Sequence, residues 1–345
     1  MRADVASGCR GITPFLHEAS GYEEEEILQA PAIENSVFPM GLREFQIFRT
    51  LIHKRTGIWL RDGKQVMLAS RLTRRLRHHG MADFAEYYGY VQTVPDDSEE
   101  IRELINCVTT NKTSFFRERH HFEFLASAVV PEVRAAALRG APRNIRIWSA
   151  ASSTGEEAYS IAITLLEELR TAPNHSRTTR SAYSQGSPKR TGLPGIAMES
   201  GSWKIEIVAS DIDTKVLETA RRAIYSDDSL ASIAPPLKKK YFLRGKDDMR
   251  GRVKLKPAVT QLVQCKRINL QEARWPLEGL FDVIFFRNAL IYFNHDTQDT
   301  FLRKMMRYLK PGGYLFLGNA EHIPWLHGVL EPLNRTMYRL RNTAR

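Results

Sequence analysis

The chain has 345 residues, 43% hydrophobic and 26% charged, enough for one large α/β domain with a smaller partner and a sizeable core. No apolar run approaches the roughly 20 residues of a membrane span. The first thirty residues carry Glu23–Glu26 where a signal peptide would have its apolar core. Cys9, Cys107 and Cys265 are too far apart for a disulfide framework or a zinc site, so a reducing cytoplasm is expected. The formal charge of +11 points to an acidic partner: nucleic acid, a membrane surface or an acidic protein.

Residues 1–37 mix Gly, Pro, Ser and acids without periodicity and read as a flexible tail. Residues 38–108 read as all-helical. Leu42, Phe45, Phe48, Leu51 and Ile52 recur at helical spacing before Gly57. A second helix spans about Lys64–His79 and ends at Gly80, a third spans Ala82–Tyr90, and a fourth Ile101–Val108. Residues 109–143 form a linker and an approach helix over Arg119–Leu138. From Asn144 to the end the texture changes. Short β-type runs at Ile145–Trp148, Lys204–Ala209, Leu262–Ile268, Phe281–Phe286, Tyr314–Gly318 and Thr336–Leu340 alternate with helical stretches at 155–169, 214–223, 288–293 and 297–309. That alternation predicts a doubly wound sheet. Residues 171–202, rich in Ser, Thr, Gly, Pro and Arg, read as a mobile insertion. Residues 226–261 read as a helix followed by a small β excursion.

Chemistry-bearing residues gather where the strands should end. The first strand runs into Ser152-Ser-Thr-Gly-Glu-Glu157, a tight turn of small residues that opens a helix. In doubly wound folds this turn holds nucleotide-like ligands. It lacks the Gly-Lys-Ser/Thr ending of a phosphate loop. Glu156 and Glu157 would repel a pyrophosphate and attract an ammonium, although acids also suit any helix N-terminus. Asp211 stands where a ribose diol is usually held, and Asp213 is placed to cap the next helix. Asn269 and Asn288 lie on the same rim, where an amide suits an adenine edge, a turn or a helix cap. Together they describe a pocket for an adenosine with a cationic amino-acid tail and no phosphate, which S-adenosylmethionine matches. The segment Leu309-Lys-Pro-Gly-Gly-Tyr-Leu-Phe-Leu-Gly318 suits the turn into a fifth strand.

On four segments the chain resembles the CheR family of chemotaxis-receptor glutamate methyltransferases: Thr109-Thr-Asn-Lys-Thr-Ser-Phe-Phe-Arg-Glu118; Trp148-Ser-Ala-Ala-Ser-Ser-Thr-Gly-Glu-Glu-Ala-Tyr-Ser-Ile-Ala162; Ser210-Asp-Ile-Asp-Thr214 with Val216–Leu217; and Arg287-Asn-Ala-Leu-Ile-Tyr-Phe293. The resemblance covers about residues 38–342. It implies a doubly wound, Rossmann-like S-adenosylmethionine-dependent methyltransferase domain, with an N-terminal all-α domain and a small β excursion. It implies cofactor contacts from Asn111, Thr113 and Arg117 on the linker. Glu156 would hold the methionine ammonium and Asp211 the ribose. Asn269 with Leu270 would lie by the adenine, and Asn288 with Ala289 by the sulfonium end. S-adenosylhomocysteine is the product. Phe115–Phe116 are expected in the core, and Arg134 and Tyr292 are expected to touch the acceptor. No metal is expected. An acceptor carboxylate is already ionised at neutral pH and needs no general base, so the chemistry reduces to in-line positioning and desolvation.

The positive charge has its most ordered concentration on the second helix. Arg71, Arg74, Arg75 and His78 share one face at 3–4 spacing, and Leu68, Leu72 and Leu76 another. The resemblance implies that the basic face docks an acidic receptor helix bundle; a merely solvated face is the plainer reading. A monomer is expected, with no nucleic-acid partner and no membrane insertion. Three other readings stay open: a nucleic-acid methyltransferase, a methyltransferase for another protein carboxylate, and a non-enzymatic adaptor that keeps the fold. The sequence departs from the family pattern at Gly318-Asn-Ala-Glu-His322, at Ala158, in the 171–202 insertion, and in a glycine-poor Arg244–Gly251.

Overall fold

The computed structural model describes residues 37–169 and 202–342. All of the expected tail but Val37, and all of the expected insertion but Ser202, lie outside them. The helical domain has four helices: α1 (Leu42–Thr56), α2 (Gln65–His79), α3 (Phe84–Thr93) and α4 (Glu99–Val108). Polar caps start the last two: Asp83 accepts the Glu86 N–H at 2.8 Å and Ser98 the Ile101 N–H at 3.3 Å. Phe45, Phe48 and Ile52 of α1 meet Leu68, Leu72 and Leu76 of α2 in one buried cluster with Tyr87 and Leu104. The apolar spacing in the sequence is thus the packing face.

The approach helix is one helical run with a change of pitch. It comprises α5 (His120–Phe124), a π-helical turn at Leu125–Val129, and α6 (Val130–Leu138). Next come β1 (Asn144–Ala150), α7 (Glu156–Leu169), β2 (Lys204–Asp211) and α8 (Thr214–Arg222). The β excursion is a three-stranded antiparallel sheet, ordered β3 (Ile224–Ser226), β5 (Arg252–Leu255), β4 (Phe242–Arg244), with α9 (Pro235–Tyr241) in its connection. It begins two residues earlier than the sequence reading placed it. The chain returns through α10 (Pro257–Thr260), β6 (Val263–Arg267), β7 (Phe281–Phe286), α11 (His295–Met306), β8 (Leu309–Leu317), β9 (Leu330–Pro332) and β10 (Met337–Leu340).

The main sheet has seven strands in the order β6-β2-β1-β7-β8-β10-β9. Five are mutually parallel; β10 pairs antiparallel with β8 and β9 antiparallel with β10, so β10 alone is reversed. From β1 the chain builds outward through β2 to β6, then returns to β7 on the other side. The crevice above the β1 and β7 carboxyl ends is therefore a topological switch point, where doubly wound sheets bind ligands. Two expectations change. Residues 288–293 form only a short 3₁₀ turn at Leu290–Tyr292 rather than a helix, because their backbone is used elsewhere: the Tyr292 carbonyl accepts the Trp59 N–H at 2.7 Å, and Ile58 bridges Phe293. β9 is an added edge strand that the short Leu330–Pro332 run did not announce. No helix among the described residues is long and apolar enough to cross a membrane.

Candidate active site

Four segments converge on the rim at the carboxyl ends of the strands. They are the linker 109–118, the β1–α7 turn, the β2–α8 turn and the residues after β7. Their backbones are unusual. Of the seven described non-glycine residues with positive φ, five lie here: Phe116, Glu118, Ala151, Ser153 and Asn288, at 52–58°. Such conformations cost about 1–3 kcal/mol each and persist where surrounding contacts over-determine them. Gly155 is required by contact as well as by conformation, with φ at +94°. A Cβ there would lie 2.8 Å from the Ala220 Cβ, so α7 could not start this close to α8 with a side chain at that position.

The two acids of the β1–α7 turn have different tasks. Glu157 is fixed inside the fold: Oε1 accepts from Ser149 Oγ at 2.6 Å, and Oε2 lies 3.1 Å from Arg287 Nη1. Glu156 is also buried, and accepts at Oε2 from Thr154 Oγ1 at 2.6 Å. It meets no cation among the described residues, and burial pushes its pKa up. Asp211 accepts the Ser153 N–H at 2.8 Å and the Asp213 N–H at 3.0 Å, yet burial still raises its pKa to about 6. Asp213 caps α8 through the Lys215 and Val216 amides. On the linker, Asn111 Nδ2 donates to Asp213 Oδ2 at 2.7 Å, and the Asn111 carbonyl accepts from Ser153 Oγ at 2.9 Å. Thr113 follows, half-buried. Arg117 curls back to donate from Nη1 to the Lys112 carbonyl at 2.9 Å. Phe115 and Phe116 are buried core residues, as expected.

Asn288 lies two residues past β7, with φ at +58°. Its amide N–H donates to Glu321 Oε2 at 2.9 Å and its Nδ2 to Glu118 Oε1 at 3.1 Å. Gly318 lies so close that a Cβ would come within 2.4 Å of Asn288 Nδ2. Gly318 and Glu321 thus hold this corner, and the departure from the family pattern falls on Asn319 and Ala320 between them. Ala289 is buried beside Asn288, and Tyr292 is half-buried on the turn that follows. Asn269 is tied down at both ends: Nδ2 donates to the Arg55 carbonyl at 2.7 Å, and Oδ1 accepts the Gln271 N–H at 3.0 Å. One hydrogen and one lone pair remain for a ligand. Leu270 packs on the buried Trp148–Phe286 cluster. Asn269 also lines a separate cleft of about 750 Å³ between α1, α3, α4 and the loop after β6.

Beneath the rim lies a charge cluster that sequence reasoning missed. Arg287, buried at the end of β7, lies 3.0 Å from Glu118 Oε2 and 3.1 Å from Glu157 Oε2, and donates to the Arg117 carbonyl. Burial pushes both acids up. Arg287 and Asn288 outweigh it at Glu118, which ends below the ordinary carboxylate range; Glu157 ends above it. His121 packs 3.6 Å from Glu118 and accepts or donates at Thr336 Oγ1, 3.0 Å away. Burial lowers its pKa to about 2, so it is neutral. One signal was available: Arg287 follows the apolar Val283–Phe286 run with no polar spacer, and a charge that continues a buried strand needs a buried partner.

Three expectations need correction. Arg134 is not at the acceptor side. It lies on α6 and donates to the Glu168 carbonyl, twelve residues along α7 from Glu156, about 18 Å at 1.5 Å per residue. The approach helix runs down the sheet, so its later residues reach the opposite end. Arg75 is not on the exposed face of α2. It is 8% exposed, and Nε donates to Glu100 Oε1 at 3.0 Å. It borders the Leu68–Leu72–Leu76 stripe, and Glu100 on α4 draws it inward. Arg71 closes the end of α4, donating to the Val108 and Thr109 carbonyls at 2.7 and 2.9 Å. Arg74 and His78 remain exposed, with Arg77 beside them.

Two family models match this chain. Residues 43–109 match the CheR methyltransferase all-alpha domain, and residues 111–179 and 195–339 match the CheR methyltransferase SAM binding domain. The chain belongs to the CheR methyltransferase family. It is 37% identical over 309 residues to chemotaxis protein methyltransferase 2 of Pseudomonas aeruginosa, covering 90% of this chain and 97% of that protein. It is 38% identical over 296 residues to the chemotaxis protein methyltransferase of Escherichia coli, covering 86% and 90%. It is thus a chemotaxis protein methyltransferase with a domain that binds S-adenosylmethionine. The residues fit that cofactor. Glu156 is a buried carboxylate without a counter-charge among the described residues, which an ammonium would supply. Asp211 is a buried acceptor pair suited to a diol. The buried Ser152 Oγ, in the turn between them, has no hydrogen-bond partner among the described residues.

Proposed function

We propose that this protein forms methyl esters on glutamate side chains in the acidic helical cytoplasmic region of chemotaxis-type receptors, and that it works in the cytoplasm. The observation that carries the cofactor half of this reading is Glu156. A buried acid that lacks a cation is costly unless a ligand completes it. Glu156 would hold the ammonium of S-adenosylmethionine, Asp211 the ribose, and Asn111, Thr113 and Arg117 would close over it from the linker. Leu270 and Asn269 would flank the adenine, and Asn288 with Ala289 the sulfonium end. When bound, the cofactor supplies an electrophilic methyl group. The chain's own part is to exclude water, to hold the acceptor carboxylate, and to fix the segments that approach it. Tyr292 would touch the acceptor; the backbone bond from the Trp59 N–H to its carbonyl supports this by fixing the turn that carries it. Residues 38–108 would dock the receptor, with the exposed Arg74 and His78 facing its acids.

The test is to incubate the protein with methyl-labelled cofactor and membranes that carry candidate receptors, then treat with mild alkali. Esters release volatile methanol, whereas methylated amines, amides and bases keep the label. Alkali-stable label would overturn the glutamate assignment. Absence of transfer to any receptor, with intact cofactor binding, would favour an adaptor.

A further inference from the structure

Asp211 and Asp213 stand two residues apart, and the second does more than end a loop. Asp213 is 2% exposed. Its Oδ1 accepts the amides of Lys215 at 2.9 Å and Val216 at 3.3 Å, capping α8. Its Oδ2 accepts from Thr109 Oγ1 and Asn111 Nδ2, both at 2.7 Å. The neighbouring turn is pinned to the same helix end by Asn106, whose Oδ1 accepts the Thr214 N–H and whose Nδ2 donates to Thr214 Oγ1, each at 3.1 Å. Helix capping alone does not require an acid, since asparagine caps as well as aspartate. The requirement lies in Oδ2, where two donors from the linker converge and an amide nitrogen could accept neither.

We infer that Asp213 is a positioning residue for the cofactor, a latch that orients Asn111. With Nδ2 held on Asp213, the Asn111 carboxamide has one fixed sense. Its Oδ1 takes no hydrogen bond from the described residues and is left as the acceptor for a cofactor N–H or O–H. Without the latch the amide can turn over and present a donor where the ligand needs an acceptor, a mismatch that leaves two donors opposed. This deepens the cofactor reading and rests on it. It also gives the joint between the helical and sheet domains a task, because Thr109 and Asn111 follow directly from α4.

The experiment is a swap, read by calorimetry with S-adenosylhomocysteine and by thermal melting. Asp213→Asn keeps the cap oxygen and opposes two amide nitrogens. It should bind about tenfold or more weakly, with little change in melting temperature. Asn111→Asp opposes two carboxylates and should lose at least as much. Combining them exchanges donor and acceptor, and affinity should return to within about threefold of the unsubstituted chain. Full affinity in Asp213→Asn, or a double variant whose loss merely multiplies the two single losses, would overturn the latch. If Asp213→Asn does not fold, Thr109→Val removes the Thr109–Asp213 bond and the 3.2 Å bond from Asn111 Nδ2 to Thr109 Oγ1 and spares the cap; a loss of a few fold supports the latch and none overturns it. Failure of the unsubstituted chain to bind S-adenosylhomocysteine would overturn the cofactor reading itself, and the latch with it.

Discussion

Arg75 in the helical domain and Arg287 beneath the rim are both buried arginines that pair with glutamates, yet they are built for different ends. Arg75 and Glu100 match charge for charge, and Glu100 also meets Tyr87 and His79, the latter at 2.7 Å. Burial pushes Glu100 up, but these bonds outweigh it and leave it below the usual carboxylate range. Arg75, Glu100, Tyr87 and His79 all lie within the helical domain, and their backbone is ordinary helix. Arg287 serves two carboxylates and a carbonyl, and its cluster carries excess negative charge. Its neighbours Glu118 and Asn288 sit in left-handed backbone conformations. A buried ion pair is thus not in itself a mark of function. What distinguishes the second is incomplete compensation, strained backbone and contact with the linker that carries Arg117.

The largest expected effect tests that contrast directly. Arg287→Met leaves Glu118 and Glu157 facing each other without a cation. Stability should fall by about 3–5 kcal/mol in urea unfolding, and S-adenosylhomocysteine binding should be lost even where the variant is still folded. A folded variant with normal affinity would reduce Arg287 to a core strut. The matching change in the other region, Glu100→Gln, should cost about 2–3 kcal/mol. That is less because Glu103, 3.8 Å from Arg75, remains as a second acid. Its cofactor affinity should stay within about twofold, since Glu100 itself bonds only Arg75, Tyr87 and His79 and the Glu103–Lys215 pair toward α8 is left in place. Loss of affinity there would erase the distinction between the two clusters.

The third effect concerns Asp211, whose pKa burial raises to about 6. Hydroxyl donors from a ribose would favour its ionised form, so binding should release a proton wherever Asp211 is still protonated. The sign follows: affinity is full above pH 6 and falls as pH drops through it. At pH 5 binding should be about tenfold weaker than at pH 7. Calorimetric titration across pH 5–8 measures this, and Asp211→Asn should be weaker throughout with a flattened profile. An unchanged profile in the variant would remove Asp211 from the ribose role.

What was legible in the sequence follows from which forces act locally. Apolar spacing in α1 and α2, the short β runs, and small residues before Glu156 are properties of neighbouring positions, so helices, sheet and the first turn could be read directly. The two-residue step from Asp211 to Asp213 likewise separated a rim acid from a helix cap. Partners far apart in the chain were not legible. Arg75 meets Glu100 twenty-five residues on, Arg287 meets Glu118 from nearly half the chain away, and the Leu290–Tyr292 turn is set by Trp59. Arg134 failed for a geometric reason: a helix that starts at the rim carries its later residues away at 1.5 Å each. Membership of a helix face also proved weaker than burial, because Arg71 and Arg75 share spacing with Arg74 and His78 while their guanidinium groups serve the fold.

The smallest effect tests what remains of the basic face. Arg74 and His78 are exposed, Arg74 reaching Cys107 Sγ at 3.3 Å without leaving the surface. Exposed charges contribute about 0.2–1 kcal/mol each and are screened by salt. The double variant Arg74→Ala, His78→Ala should therefore lower methyl transfer to receptor membranes only a few fold at low ionic strength, mainly through slower encounter, and the gap should close as salt rises. Melting temperature and S-adenosylhomocysteine affinity should not move, which separates this pair from Arg71 and Arg75, whose loss should lower stability first. A deficit that persists at high salt would mean that the face makes close contacts rather than steering. Equal rates at low salt would mean that the receptor docks elsewhere, and that Arg74 and His78 are solvated while Arg71 and Arg75 hold the domain together.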